Sequence, residues 1–479
     1  MWLAALLWIV TTIQWSMRIP DPLAILGALL LAALSIGEIV RRYNRHEDLG
    51  ILLVLAAFVF IYPLSGVFQF IGGSLDRRGF FDYRFLDPAV QSHYCYATLL
   101  LIFAAYLALV AGVGKGTSKQ SENPHLSVNR KRLVVFGATV LALGLLGTVR
   151  LFQYSGLPDL VSFLITMDRG RYVGDGFGRY VFLSQWVPWG VTFISIAILS
   201  GPWGLSRLKS SLVLVGSLVI IVVNSYWSGG RATILFGIVP MLMCLTRLRK
   251  SSGAGILPYF LAIVTAVMIA MTSARSEFSP QISEDIVNIV DWHAGRFCMV
   301  GLGFALTANS GAGFGTTILG SFFSSINDLM TLAHLPFQLP HVQGMESIIG
   351  GYLINDPDNN SILPGSICEL YYDFGVLGVV VGHFLIGRLA RICSNAVHRG
   401  ANVGSVLLGA YCLLSLSIST LSGNISSAFY YLLYIGLPLL VMYWWDASHL
   451  PSSQVGASIQ GQAAIRQFSP LGDSEIRIV

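Results

Sequence analysis

The chain has 479 residues, of which 54% are hydrophobic and only 11% are charged. Because soluble domains carry about 25% charged residues, this composition excludes a soluble globular protein and predicts a surface that mostly faces lipid. The net charge of +5 is spread through short loops, which is typical of membrane topology and not of a nucleic-acid-binding surface.

Apolar runs separated by charges and turn residues predict about twelve membrane-spanning helices. In chain order these are 2–17, 23–40, 50–71, 93–113, 133–149, 180–200, 211–228, 232–246, 256–273, 376–392, 404–420 and 428–445. The first run is short, since a span needs about 17–25 residues. We therefore expect an all-α, polytopic helical bundle over residues 1–445 and a disordered cytoplasmic tail at 446–479.

Lysine and arginine predict how the spans are oriented. One set of loops and the tail hold 18 of these cations and the opposite loops hold 11, so both termini are predicted to be cytoplasmic. All five lysines fall on that side, and every cation outside is therefore an arginine, whose planar fork binds phosphate in bidentate fashion. Chance is an alternative explanation, because 24 of the 29 cations are arginines.

The largest predicted loop covers residues 274–375 and lies outside the membrane. It holds Arg275 and Arg296, and residues 284–306 have the pattern of an amphipathic helix. Residues 311–332 are apolar and rich in glycine, which favours either re-entry into the bilayer or packing on the bundle. A loop of this length usually has a function or its own structure.

A second outer segment, residues 150–180, combines arginines with alternating glycines. Arg169, Arg171 and Arg179 lie within or beside the sequence DRGRYVGDGFGR. This composition is suited to a flexible lid that binds an anion. The alternative is an interfacial loop whose arginines only extend toward the headgroups.

A short turn between two predicted spans contains Arg231. The preceding residues are Ser228, Gly229 and Gly230, which leave room for a ligand. A charge at the bilayer boundary is costly unless it is paired. We expect Arg231 to bind an anionic group, the alternative being an arginine that extends to the membrane surface.

Two carboxylates precede the span that begins near residue 376. If residues 364–375 are helical, Glu369 and Asp373 share one face at i,i+4 spacing, and Asp373 is expected to lie one turn deeper toward the span. Two acids in a region of low dielectric constant can provide a general base. The alternative is that they cap a helix and take part in interfacial packing.

These features together resemble the bacterial O-antigen polymerases, also called Wzy-type oligosaccharide repeat unit polymerases. The matching motifs are SGGRAT at residues 228–233 and ELYYDFGVLG at residues 369–378, followed by Gly387 inside the span. The architecture is similar over most of the chain, whereas the specific motifs cover about 30 residues.

The resemblance implies a GT-C-like glycosyltransferase in the bacterial inner membrane. It would transfer a growing glycan from polyprenyl diphosphate to a new lipid-linked repeat unit on the periplasmic face. The lipid-linked oligosaccharide would be both donor and acceptor, and a chain-length regulator and a flippase would be its protein partners.

The chemistry implied by the family needs donors for a pyrophosphate and a base for a hydroxyl. We expect the pyrophosphate to be bound by Arg231 and by the other outer arginines, Arg169, Arg171, Arg179, Arg275 and Arg296. Tyr371 and Tyr372 are expected to lie close to the glycan. Glu369 is the expected base, with Asp373 or His341 as alternatives. No metal or other cofactor is expected, because the densest acidic stretch, 356–360, has the composition of a turn.

Two other functions stay open. O-antigen ligases share this architecture and rely on a histidine in the large loop, where His334 and His341 are available, but the usual histidine followed closely by asparagine is absent. A transporter would be expected to show an internal repeat and charges within its spans. The halves of this chain show no repeat, and His383 inside a span is better explained as a packed core histidine.

Overall fold

The computed structural model describes residues 21–44, 49–71, 88–114, 126–156, 178–200, 207–227, 231–248, 299–332, 336–340, 342–354, 364–421, 425 and 431–448. Within these ranges the chain is almost entirely helical. They contain no β-strand and only a single isolated bridge between Ser127 and Asn402. The prediction of an all-α fold is therefore confirmed for the part of the chain that the structure describes.

The described ranges contain a series of α-helices. In chain order they are α1 Asp21–Asn44, α2 Leu49–Ile61, α3 Pro63–Ile71, α4 Pro88–Val113, α5 Arg130–Ser155, α6 Gly178–Ser184, α7 Val187–Leu199, α8 Arg207–Trp227, α9 Arg231–Leu248, α10 at residues 299–310, α11 Thr316–Leu332, α12 Met345–Ile354, α13 Ser366–Arg399, α14 Val403–Ser415 and α15 Leu437–Ser448. Two π-helical turns, Leu416–Thr420 and Tyr431–Ile435, follow α14 and precede α15.

Several of these helices are long and apolar enough to cross a membrane. Among the described residues there are five such segments: Gly50–Val67, Tyr96–Val113, Arg130–Ser155, Arg179–Leu199 and Ser366–Arg399. Three shorter apolar helical segments accompany them, at Leu212–Asn224, Leu235–Leu248 and Val403–Ile418. The predicted spans 2–17 and 256–273 lie outside the described residues, so the total of about twelve stays a prediction.

Glycines let the long helices approach closely. A Cβ on Gly112 of α4 would collide with the carbonyl oxygen of Phe384, and one on Gly387 of α13 would collide with that of Leu109. Lipid offers no hydrophobic force that pushes apolar helices together, so close contact between small residues is the usual basis of packing in membranes. The α4–α13 pair is therefore a tightly packed centre of the bundle.

Four predicted spans are interrupted, and one of them, 180–200, divides into α6 and α7 at Gln185 and Trp186. Residues 50–71 break at Tyr62, because the following Pro63 has no N–H for a continuous helix. Residues 404–420 end in a π-helical turn, and residues 428–445 break at Gly436. Irregular backbone at membrane depth is tolerated only where protein covers it or where it lines a cavity. The breaks therefore mark the interior of the bundle.

Helix α13 is a hairpin and not a straight rod. Its backbone leaves the helical conformation at Gly375, where φ is 64° and ψ is −157°. Ser366 and His383 are 17 residues apart, which is about 25 Å along a straight helix, yet Ser366 Oγ lies 3.2 Å from His383 Nε2. Residues 366–374, the short leg, therefore fold back along residues 376–399, the long leg.

The hairpin corrects one expectation about depth. We expected Glu369 to precede the span along its axis and Asp373 to lie one turn deeper. Because the short leg runs back from the turn at Gly375, Asp373 lies next to the turn and Glu369 lies further along the long leg. The two acids still share one side of a helix, and both are fully buried.

Helices α10, α11 and α12 cover the short leg. A separate small core joins α10, α12 and the short leg; its residues are Met299, Leu302, Leu306, Met345, Ile349, Cys368 and Tyr372. For residues 311–332 the structure has a turn and then α11, which packs on α13. Of the predicted amphipathic helix 284–306, only the part from residue 299 is described, and it is helical.

Candidate functional site

Glu369 is the centre of the candidate active site. Its side chain is completely buried, and its Oε2 accepts a hydrogen bond of 2.7 Å from the backbone N–H of Ile425. Its Oε1 has no hydrogen-bond partner among the described residues. Because an unsatisfied buried oxygen is destabilising, folded proteins rarely keep one without a function. Oε1 is therefore free of the kind of hydrogen bond that engages Oε2.

Asp373 has a different role. Its Oδ2 accepts hydrogen bonds from the hydroxyl of Thr317 at 2.7 Å and from the backbone N–H of Ile318 at 3.2 Å. Its Oδ1 accepts from the backbone N–H of Thr317 at 3.4 Å. The carboxylate thus satisfies the free amides at the N-terminus of α11. Asp373 holds α11 on the hairpin, which leaves Glu369 as the less engaged of the two acids.

The two tyrosines between these acids contact the covering helices. Tyr371 packs against the ring of Phe304 in α10, with 4.3 Å between ring centroids. Tyr372 belongs to the small core, and its carbonyl oxygen accepts a hydrogen bond of 2.9 Å from Gly313 N–H. Both residues hold α10 and the turn before α11 against the short leg.

A polar network fixes the start of the short leg. The Tyr62 hydroxyl donates to the carbonyl of Leu421 at 2.7 Å and lies 3.2 Å from Ser366 Oγ. His383 Nδ1 lies 2.8 Å from the Val379 carbonyl, so it carries the proton of the neutral ring, and Nε2 accepts from Ser366. The expected role of His383 as a packed core histidine agrees with these contacts.

Gly365 is required just before this network. Its φ is +78°, and a Cβ there would come within 2.8 Å of the Tyr62 hydroxyl. Only glycine combines this backbone conformation with such a close approach. The sequence Pro364-Gly365-Ser366 thus places the first residue of the short leg against the break between α2 and α3.

Glu346, in the first turn of α12, is a further buried acid that was not predicted from the sequence. Its neighbours Met345 and Ile349 pack in the same small core as Cys368 and Tyr372, which flank Glu369 along the short leg. Glu346 lies close enough to Glu369 for their charges to interact, and burial raises the pKa of Glu346 to about 7. In the sequence, Glu346 could have been recognised as a candidate because it is the only charged residue in the stretch 342–354.

Replacing Glu346 with glutamine should flatten the pH dependence of stability. A raised pKa in the folded state stabilises the protein at low pH, and this contribution is lost as pH rises from about 4.5 to about 7. The loss in the wild type is up to about 3 kcal/mol. Melting temperatures at pH 5.5 and pH 8 measure the slope, and an unchanged slope in Glu346→Gln would contradict this assignment.

The structure places only some of the predicted arginines. Arg179, in α6, is exposed, and its guanidinium lies over the ring of Tyr180, 5.0 Å from the centroid. Arg231 is the first residue of α9, but its side chain lies outside the described part of the structure. The same is true of Arg169, Arg171, Arg275, Arg296, His334 and His341.

Hydrogen bonds connect Trp186 and α7, which follow the helix of Arg179, to α11. Trp186 Nε1 donates to the carbonyl of Tyr434 at 2.9 Å, and Trp189 Nε1 donates to that of Ile435 at 2.8 Å. The Tyr434 hydroxyl in turn donates to the carbonyl of Ser325 in α11 at 2.8 Å. Residues 178–199 and α11 are therefore anchored to the same π-helical turn.

Comparisons with known proteins add no relative to this description. No protein-family model matches the chain, and neither a curated protein nor a solved structure is significantly similar to it.

Within the described ranges no three His, Cys, Asp or Glu side chains form a group that could hold a metal ion.

Proposed function

We propose that this chain is a membrane glycosyltransferase that polymerises polyprenyl-diphosphate-linked oligosaccharide repeat units on the periplasmic face of the bacterial inner membrane. The observation that carries the proposal is the buried Glu369 with its unpartnered Oε1. Glu369 lies on a short helix folded back along a candidate span. The resemblance in residues 228–233 and 369–378 supports the same assignment.

In the proposed reaction Glu369 acts as general base. Oε1 takes the proton of the acceptor hydroxyl while that oxygen attacks the anomeric carbon of the growing glycan. The bond from this carbon to the diphosphate breaks, and polyprenyl diphosphate leaves with the electron pair. Glu346 lies close enough to Glu369 for their charges to interact, so the two acids would titrate as a coupled pair.

Access to Oε1 requires movement of the covering helices. Glu369 is fully buried, and α10 and α12 pack on Cys368 and Tyr372 of the same short leg. The contacts of Asp373 with Thr317 and Ile318 hold α11 in this closed position. Release of α11 when substrate binds would expose the base, and its return would exclude water from the reacting sugar.

The direct test uses the purified full-length protein in lipid nanodiscs with lipid-linked repeat units. Polymerisation gives a ladder of products on a gel. Transfer of a preassembled glycan to a different acceptor without a ladder would instead indicate a ligase. Movement of intact lipid-linked substrate across a vesicle membrane without elongation would indicate a transporter.

Replacing Arg231 with lysine should remove most of the activity. Lysine keeps the charge but cannot hold the diphosphate with a bidentate fork, and a loss of roughly 10²-fold is expected, as for removal of a transition-state donor. Initial rates of elongation measure the effect. The control is Arg150→Lys, because the exposed Arg150 bonds only to Gln153 in the described structure. Near-normal polymer from Arg231→Ala would contradict this role.

A further inference from the structure

Phe314 has an unusual combination of backbone conformation and exposure. Its side chain is 82% exposed. Its φ is +51°, and no other non-glycine residue in the described ranges has a positive φ. Such a conformation is unfavourable for a bulky residue and is kept where the surroundings or a function require it. Neither α10 nor α11 covers this ring.

The turn at residues 311–315, which carries Phe314, rests on the bend of the α13 hairpin. A Cβ on Gly315 would lie 2.9 Å from the ring of Phe374, so this ring occupies the space beside the turn. The hydrogen bond from Gly313 N–H to the Tyr372 carbonyl fixes the contact. Phe314 is therefore held at the end of the long leg and does not move independently of it.

The bend itself presents an apolar surface. Phe374, Val376 and Leu377 are 50%, 55% and 72% exposed, and residues 311–315 and 374–378 contain no charged or polar side chain. The exposed apolar stripe continues along the long leg; its residues are Val380, Val381, Phe384, Leu385, Leu389 and Ile392. This exposed apolar stripe is typical of a helix that faces lipid, and Phe314 extends the stripe beyond the bend at Gly375.

We propose that the turn at 311–315 is a membrane anchor, which inserts Phe314 into the bilayer at the boundary between headgroups and acyl chains. Aromatic rings are enriched at this level of membrane proteins, and an apolar tip without charges gains free energy by leaving water there. The anchor holds the covering helices at a fixed depth over the hairpin. It does not depend on the reaction that the protein catalyses.

Photocrosslinking to lipid tests the anchor. The full-length protein carries p-benzoylphenylalanine at position 314, 377 or 343 in nanodiscs that contain a phospholipid with an alkyne on its acyl chain. At position 314 the substituted residue keeps the phenyl ring of Phe314 and adds a benzoyl group, for which the exposed site has room. Leu377 is the lipid-facing reference, and Gln343 is an exposed polar control.

We expect lipid capture at 314 to match that at 377 and to exceed that at 343 roughly tenfold. Capture at 377 with none at 314 would overturn the proposal. A crosslink from 314 to a second copy of the chain in place of lipid would also overturn it, because the tip would then be a subunit interface.

Discussion

Glu369→Gln should abolish polymer formation while the protein keeps its fold. Loss of a general base typically lowers the rate by about 10²–10⁴-fold. The glutamine carbonyl oxygen can replace Oε2 as the acceptor for Ile425 N–H, and its amide group takes the place of Oε1, which has no partner among the described residues. The melting temperature should therefore stay the same or rise, because the substitution removes the free-energy cost of burying a carboxylate with an unsatisfied oxygen.

Asp373→Asn is the matched comparison, because it changes the other buried acid of the same leg. Both carboxylate oxygens of Asp373 accept hydrogen bonds from Thr317 and Ile318, whereas asparagine has only one oxygen that can accept them. Helix α11 therefore loses part of its N-terminal cap. This variant should lose about 1–2 kcal/mol of stability.

A full ladder from Glu369→Gln together with none from His341→Ala would move the base to His341 and favour the ligase chemistry.

Gly375→Ala should disrupt both stability and activity. The φ of 64° with ψ of −157° belongs to a region that is essentially restricted to glycine, and a side chain there costs about 1–3 kcal/mol. Nothing lies within 4 Å of the position that a Cβ would take, so the cost comes from the backbone and not from a collision. Relief of this strain would open the hairpin and displace Glu369.

The control for Gly375→Ala is the same change at Gly37 in α1 or Gly216 in α8. These glycines also have open space around the Cβ position, and their backbone is helical. Alanine is better than glycine in a helix by about 1 kcal/mol, so both variants should melt at the wild-type temperature or above. If Gly375→Ala behaved like them, the bend at Gly375 would not be required.

Hydropathy predicted long apolar helices such as α4 but not the bend between the legs of α13. A run such as 93–113 is recognised by its length alone and corresponds to α4. The bend at Gly375 brings together Ser366 and His383, which are 17 residues apart. Nothing in the local sequence distinguishes Gly375 from the other glycines that enter this span, so the expected order of depth was reversed.

The acids show a similar limit. The i,i+4 spacing identified Glu369 and Asp373 as neighbours, but it could not assign their different roles. The partner that engages Asp373 is the N-terminus of α11, 56 residues earlier in the chain. Glu346 has no partner at a recognisable spacing, since it approaches Glu369 only through the packing of α12. Such assignments require the tertiary contacts.

The short leg of α13 also has a consequence for biogenesis. Residues 366–374 rise only about 14 Å as a helix, less than half of the roughly 30 Å hydrocarbon thickness. The insertion machinery recognises segments long enough to cross, so the long leg can be inserted as a span whereas the short leg cannot. The short leg must therefore fold against its partner after the neighbouring spans are in place, and Glu369 acquires its buried environment late in the maturation of the protein.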